Sequence, residues 1–238
     1  MFKRSVLSVA LLTSLMACSA NADEAAIKKT LQGQFPDANI SSVAKTSYAG
    51  LYEVVIDNQV VYADSDASHV FVGSIIDTKT KQNLTDARTA KLTAVKFDSL
   101  PFANAIKTVK GDGSRKLAIF SDPDCPYCKK FEQELEKVTN VTVYTFLYPI
   151  NGLHPQATAH ARAIWCAPDR NKAWDDAMLR GVLPTNDGSC KNPIDTNIAL
   201  ANKYRVSGTP TLIFANGQRV PGMVPADKLN QLLDAASK

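Results

Sequence analysis

Residues 117–131 read LAIFSDPDCPYCKKF, and this stretch decides how the fold is interpreted. Leu117–Phe120 is an apolar run typical of a buried strand, and a short polar loop separates it from Cys125 and Cys128. Pro126 suits the first turn of a helix, because proline lacks the backbone N–H that would remain unpaired there. The order predicts a strand, a loop and a helix that begins at the first cysteine.

The two cysteines have the spacing of a reversible disulfide. Unpaired backbone N–H groups and the positive end of the helix dipole stabilise a thiolate at a helix N-terminus, where Cys125 is expected. Cys128 follows three residues later on the same face, close enough for a disulfide with Cys125. We therefore predict that Cys125 is the exposed nucleophile and that Cys128 resolves the mixed disulfide.

Charged residues flank the pair, and their expected effects on the thiolate are opposite. Asp122 and Asp124 precede Cys125 and disfavour a second negative charge, whereas Lys129 and Lys130 favour it. The sequence pattern leaves open which effect prevails.

Two other interpretations of a Cys-x-x-Cys pair remain open at this point: half of a zinc site and a purely structural disulfide. Zinc needs two further ligands. The remaining candidates do not supply these ligands: Cys166 and Cys190 are single and far apart, and no two of His69, His154 and His160 have the spacing of a ligand pair. We predict redox chemistry with no metal and no cofactor, and histidines that are structural or on the surface.

The N-terminus has the pattern of a secretory signal peptide. Lys3 and Arg4 precede an apolar run at residues 6–17, and Ala20-Asn21-Ala22 fits a small-x-small cleavage site. Cleavage after Ala22 would remove Cys18 and leave four of the five cysteines. In the alternative, Cys18 is lipidated as the first residue of a lipoprotein. No later stretch approaches the ~20 apolar residues of a membrane span, so none is predicted in the mature chain.

Size, charge and composition indicate a globular protein of one or two domains and do not favour a nucleic-acid-binding one. The 238 residues allow one or two domains with a real core. A formal charge of +4, with no clustered basic patch, does not favour binding to nucleic acid. A composition with 45% apolar and 21% charged residues is typical of a globular protein rather than a disordered one.

The hydrophobic pattern divides the mature chain into two parts. The first, residues 23–84, is predicted to hold a helix at 23–35, a hairpin of strands 52–56 and 60–62, and a strand at 69–76. So small a unit has a marginal core and exposed strand edges, which pairing with a second copy would cover. Thr85 is predicted to cap a linker helix within residues 85–102.

The second part, residues 103–238, alternates strands with helices. Strands are predicted at 105–109, 116–120 and 141–147, helical segments at 156–180 and 197–205, then a hairpin around residues 216–217 and a terminal helix. A strand, helix and strand in this order predict a parallel pair with a helical crossover.

Phe120 to Phe131, with Gly208-Thr209-Pro210 about 80 residues later, resembles the thioredoxin fold of the bacterial periplasmic disulfide isomerases, the DsbC/DsbG family. The resemblance implies an α/β fold, α+β overall. A small dimerisation domain (23–84) and a linker helix (85–102) would precede a thioredoxin-like domain (103–238) with a helical insertion at about 153–205.

The family also implies roles for individual residues. Pro210 would follow a cis peptide bond, and Thr209, Pro210 and the aromatic ring of Tyr127 would contact the substrate. Cys166 and Cys190 would form a structural disulfide, as in DsbC and unlike DsbG. Pro126 is a departure, since many DsbC proteins have glycine there, and this leaves the redox potential open.

The implied function is a homodimeric periplasmic disulfide isomerase and reductase. Its substrates would be misfolded, disulfide-containing exported proteins, with chaperone activity in addition, and a membrane thiol reductase of the DsbD type would re-reduce it. One alternative is a DsbG-like reductase of single oxidised cysteines, or a thiol oxidase. A non-enzymatic alternative is a periplasmic holdase whose thiols are incidental.

Overall fold

The structure is a computed structural model that describes residues 18–237, with side chains from residue 23 onward. The predicted signal peptide lies outside the described residues, apart from the backbone of residues 18–22, which begins the first helix. The chain divides into two compact units, one ending at Leu92 and the other beginning at Thr93. No helix in the described range is long and apolar enough to cross a membrane.

The first unit packs one helix on a four-stranded antiparallel sheet with strand order β1-β2-β3-β4. Its elements are α1 (Cys18–Gln34), β1 (Ile40–Lys45), β2 (Tyr52–Ile56), β3 (Gln59–Ala63), β4 (Val70–Phe71) and α2 (Leu84–Leu92). Asp57 and Asn58 both have positive φ, and they join β2 to β3 as a two-residue turn of the kind that suits the strand twist. The predicted hairpin is therefore confirmed.

The strand predicted at residues 69–76 is wrong in length, because only Val70 and Phe71 pair with β3. The chain then leaves the sheet, and the Val72 side chain is 85% exposed. Ile75 instead bonds the start of α2, where its N–H donates to the Thr85 hydroxyl. The β-branched residues of this segment favour a strand, but residues beyond Phe71 have no neighbouring strand with which to form backbone hydrogen bonds.

Within the predicted linker of residues 85–102, the helix expected to run from Thr85 to about Phe97 is too long, because α2 ends at Leu92. Asn83, not Thr85, caps it, since the Asn83 side-chain oxygen accepts from the Asp86 N–H at 3.0 Å. Thr85 is buried, and its hydroxyl lies 2.5 Å from that of Tyr62.

Helix α2 ends at Leu92 because the residues that follow it belong to the core of the second unit. The Val95 N–H donates to the Gly217 carbonyl at 2.9 Å, and Val95, Phe97 and Leu100 are buried in that unit's core. Burying these side chains draws the backbone out of helical geometry, leaving two short 3₁₀ turns at Phe97–Ser99 and Phe102–Asn104.

The second unit has a five-stranded sheet of order β5-β7-β6-β8-β9. Its elements are β5 (Ile106–Lys110), β6 (Arg115–Ser121), α3 (Pro126–Leu135), β7 (Val141–Leu147), α4 (Ala157–Trp165), α5 (Arg170–Asp175), a π-helical turn (Asp176–Arg180), α6 (Ile194–Lys203), β8 (Thr211–Phe214), β9 (Arg219–Pro221) and α7 (Ala226–Ala236). β6 and β7 are parallel and joined by α3, whereas the other pairings are antiparallel. The predicted crossover and the thioredoxin-like α/β class are confirmed.

The central strand β6 is buried on both faces. Leu117 and Ile119 pack in one cluster with residues of α3 and α7, while Ala118 and Phe120 pack in another with Phe97. This double burial explains why the sequence of β6 is a continuous apolar run rather than an alternating one.

Candidate active site

The cysteine pair lies where β6 gives way to α3. Cys125 is the N-cap residue of α3 in extended conformation, Pro126 opens the first turn, and Cys128 completes that turn. Cys125 is only 4% exposed and Cys128 is fully buried, so the predicted nucleophile is less accessible than its place at a helix end suggested. Tyr127, between them, is 62% exposed.

The two thiols have opposite ionisation preferences. A hydrogen bond from Cys128 lowers the pKa of Cys125 to about 5, against the opposing effect of burial, and the Thr209 hydroxyl and backbone N–H groups of residues 127 and 128 lower it further. Burial, together with the same hydrogen bond, raises the pKa of Cys128 well above its usual range. These opposite shifts favour a thiolate at Cys125 and a protonated thiol at Cys128 near neutral pH, while the roles of the two cysteines in a reaction stay a prediction.

The loop before β8 lies against Cys125. The Thr209–Pro210 peptide bond is cis, as the resemblance implied, and the Thr209 carbonyl lies 3.4 Å from the Cys125 sulfur. The Pro210 carbonyl accepts from the Gly222 N–H at 2.8 Å. The predicted site residues Thr209 and Pro210 are thus at the dithiol, while their contact with substrate stays a prediction.

Both aspartates of the loop before Cys125 are paired with histidines. The Asp122 carboxylate is fully buried and lies 3.0 Å from Nδ1 of His154. Asp124 lies 2.8 Å from Nδ1 of His160. No sequence signal pointed to these pairs, because the partners are more than 30 residues apart and have no motif spacing.

A helical insertion between β7 and β8 forms one wall of the site. Trp165 and Trp174 from this insertion pack in one buried cluster with Cys125 and Cys128. The indole N–H of Trp174 donates to Glu132 of α3 at 3.1 Å, and burial raises the pKa of Glu132 to about 7. Sequence reasoning did not identify Glu132.

Cys166 and Cys190 form a disulfide that joins the end of α4 to the loop before α6, with a Cα–Cα distance of 5.7 Å. Cys125 and Cys128 are free thiols. Within the described residues, no group of three or more His, Cys, Asp and Glu side chains is arranged to hold a metal ion.

Comparison with protein families covers both units. Residues 18–86 match the disulfide bond isomerase N-terminal domain, and residues 102–237 match the thioredoxin-like domain. A probable thiol:disulfide interchange protein DsbC of Bordetella pertussis is 43% identical over 208 residues, which cover 87% of this chain and 73% of the relative. The chain belongs to the DsbC family.

Other DsbC relatives and a solved structure agree with this assignment. The thiol:disulfide interchange protein DsbC of Escherichia coli is 32% identical over 237 residues, covering 96% of this chain and 95% of the relative. The crystal structure of a disulfide interchange protein from Neisseria gonorrhoeae matches with a TM-score of 0.57 and 45% identity, over 58% of this chain and 99% of the solved one. The resemblance inferred from the DsbC-type motif is confirmed.

Proposed function

We propose that this DsbC-family chain is a periplasmic protein disulfide isomerase and reductase, and that Cys125 and Cys128 carry the reaction. The observation that carries the proposal is the asymmetry of the two thiols: a thiolate-forming Cys125 at the helix start and a protonated, buried Cys128 one turn later. An enzyme that attacks foreign disulfides and then frees itself needs this division.

The reaction begins when the Cys125 thiolate attacks one sulfur of a wrong disulfide in the substrate. A Cys125–substrate disulfide forms, and the other substrate sulfur leaves as a thiolate. In isomerisation, a substrate thiolate then attacks the substrate sulfur of the mixed disulfide, forms a new substrate disulfide and returns the Cys125 thiolate, so no electrons are gained or lost overall.

In net reduction, Cys128 loses its proton and attacks the Cys125 sulfur. The substrate leaves as a second thiolate with both electrons, and Cys125 and Cys128 remain as a disulfide. A dithiol reductant must then supply two electrons, and a membrane reductase of the DsbD type is the proposed source. The Thr209 carbonyl lies against the Cys125 sulfur, Pro210 follows Thr209, and the Tyr127 ring is exposed next to the dithiol in the chain. We propose that Tyr127, Thr209 and Pro210 hold an extended segment of the substrate.

The signal-peptide pattern supports export to the periplasm, with cleavage after Ala22. A lipidated Cys18 is the alternative, and the mass of the mature N-terminus distinguishes the two. We also propose a homodimer formed through the first unit, and chaperone activity toward unfolded chains in addition to the thiol chemistry.

Refolding of scrambled ribonuclease tests the function. The wild-type protein should restore ribonuclease activity, and Cys125→Ser should reduce the rate to that of the uncatalysed reaction, because the other described free thiol, Cys128, is fully buried and cannot reach a substrate disulfide. Cys128→Ser should keep part of the activity and accumulate mixed disulfides.

Other outcomes would favour the alternatives. Full activity of Cys125→Ser would contradict the proposal. Reduction or oxidation of substrates without isomerisation would favour a DsbG-like reductase or an oxidase. Suppression of aggregation that survives loss of both cysteines, with no turnover of any disulfide, would favour a holdase.

A further inference from the structure

The buried carboxylate of Asp122 lies at the base of the loop that presents Cys125. Its oxygens accept from the Asp124 N–H at 2.8 Å and the Ile150 N–H at 2.7 Å, and its own carbonyl accepts from the Cys125 N–H at 3.2 Å. These bonds hold the Asp122 carboxylate in place. A buried negative charge three residues before a thiolate nevertheless disfavours that thiolate, because little solvent screens the two charges from each other.

His154 is positioned to offset this charge. Its Nδ1 lies 3.0 Å from an Asp122 oxygen, and its ring is largely covered. The hydrogen bond to Asp122 raises the pKa of His154, burial opposes this, and the charges of Asp122, Cys125 and Asp124 raise it further. Asp122, Cys125 and Asp124 all belong to the loop between β6 and α3, so the negative charges of this loop favour a proton on His154.

We propose that His154 is a positioning residue for the thiol chemistry: it donates to Asp122, neutralises that buried carboxylate, and thereby keeps the Cys125 thiolate favourable beside it. His154 touches no reacting atom and acts through Asp122. The inference rests on the proposed role of Cys125 as the attacking thiolate. The sequence left open whether the aspartates before Cys125 prevent thiolate formation. In the structure each of these aspartates has a histidine partner, which reduces their effect on the thiolate.

A reciprocal effect follows from linkage. If the imidazolium favours the thiolate, the thiolate favours the imidazolium by the same free energy. When the Cys125 sulfur enters a disulfide, its negative charge disappears and the pKa of His154 must fall. His154 therefore keeps its proton to higher pH in the reduced protein than in the oxidised one.

His160 provides a matched control from the same structure. It also donates from Nδ1 to an aspartate of this loop, Asp124, but both members of that pair are partly exposed. Solvent screens such a pair more strongly than one built on the fully buried Asp122. Replacing His160 should therefore change the thiolate less than replacing His154.

The first measurement uses the unmodified full chain. The His154 ring is titrated by NMR in the dithiol and in the Cys125–Cys128 disulfide forms, with the resonance assigned from His154→Gln. We expect a midpoint at least about half a pH unit higher in the dithiol form. Equal midpoints in the two forms would overturn the proposal, and this arm needs no folded variant beyond the assignment.

The second measurement follows the thiolate by its ultraviolet absorbance. His154→Gln should raise the Cys125 midpoint by at least about half a pH unit, and His160→Gln by less than half as much. In the Asp122→Asn background the effect of His154→Gln should disappear, because there is no carboxylate charge left to offset. Equal shifts in the two histidine variants, or an undiminished effect without the Asp122 charge, would count against the proposal.

These titrations report on the thiol and not on turnover. If the protein fails to isomerise ribonuclease but shows the coupled titration, the proposed function is contradicted and this inference stands. If it isomerises ribonuclease but the titrations of His154 and Cys125 are independent, the proposed function stands and this inference is contradicted.

Discussion

At the scale of single residues, the N-cap and the buried face of helix α3 hold three titratable groups with displaced pKa values. Cys125 favours its ionised form because hydrogen-bond donors converge on its sulfur, whereas Cys128 and Glu132 favour their neutral forms because they are buried. The hydrogen bond from Cys128 contributes most to lowering the pKa of Cys125, and the unpaired N–H groups at the helix start add to it.

Glu132 makes stability depend on pH. Its pKa rises from 4.5 to about 7 in the folded protein. The folded state therefore holds this proton more tightly than the unfolded state, and its contribution to stability is lost as pH rises from about 4.5 through about 7. We expect Glu132→Gln, which can still accept from Trp174, to remove about 1–3 kcal/mol of this loss.

Denaturant unfolding of the oxidised protein at several pH values measures the effect. Asp66→Asn removes an exposed carboxyl of the first unit that is not among the charges acting on Glu132, so this control should leave the loss attributed to Glu132 in place. If Glu132→Gln and the wild type lost the same unfolding free energy over this pH range, Glu132 would not be the group responsible.

At the scale of elements, the helical insertion forms the wall of the active site and contributes the partners of its charged loop. It brings the two tryptophans to the cysteines, and the segment from β7 into α4 brings His154 and His160 to the aspartates. The Arg170 guanidinium lies 3.9 Å from the centre of the Trp165 ring and also donates to the Trp165 carbonyl. The insertion therefore forms part of the site, because its side chains pack on the cysteines and pair with the aspartates before them.

The Cys166–Cys190 disulfide holds this insertion. It closes a loop with a sequence separation of 24, and its loss increases the entropy of the unfolded chain. We expect Cys166→Ser with Cys190→Ser to lower the unfolding free energy by about 3–4 kcal/mol, measured by denaturant unfolding without reductant. The double variant avoids leaving a single reactive thiol, and an unchanged stability would show that the insertion is held by packing alone.

At the scale of the whole molecule, the first unit has features of a surface that pairs with another chain. Its sheet ends at β1 and at the two-residue β4, and Phe71, Val72 and Ile76 are exposed at and beyond that short strand. Exposed apolar side chains next to a sheet edge are typical of interaction sites. They support the proposed homodimer.

Light scattering tests the dimer. We expect the wild type to have the mass of two chains and Val72→Glu to shift toward one, because a carboxylate is costly in an apolar interface. Val109→Glu is the matched control, since Val109 is an exposed valine of β5 in the second unit and should leave the mass at two chains. A wild-type mass of one chain would contradict the homodimer.

Features set by neighbouring residues could be predicted from the sequence. The helix that begins after Cys125, the turn at Asp57 and Asn58, and the continuous apolar strand β6 each depend on side chains adjacent in the chain. The family resemblance extended this local information to Pro210 and to the disulfide between Cys166 and Cys190, which spacing alone does not specify.

Only the tertiary structure decided the features that depend on distant partners. The linker helix ends early because Val95 bonds to Gly217, and the strand after Phe71 ends because no further pairing with β3 is made. His154 meets Asp122, and Trp174 meets Glu132, across 32 and 42 residues. Local sequence determines which conformations and charges a segment favours. A buried charge without a partner is costly, and the segment that supplies the partner is distant in the chain. Only tertiary packing therefore decides which buried charge is paired with which side chain.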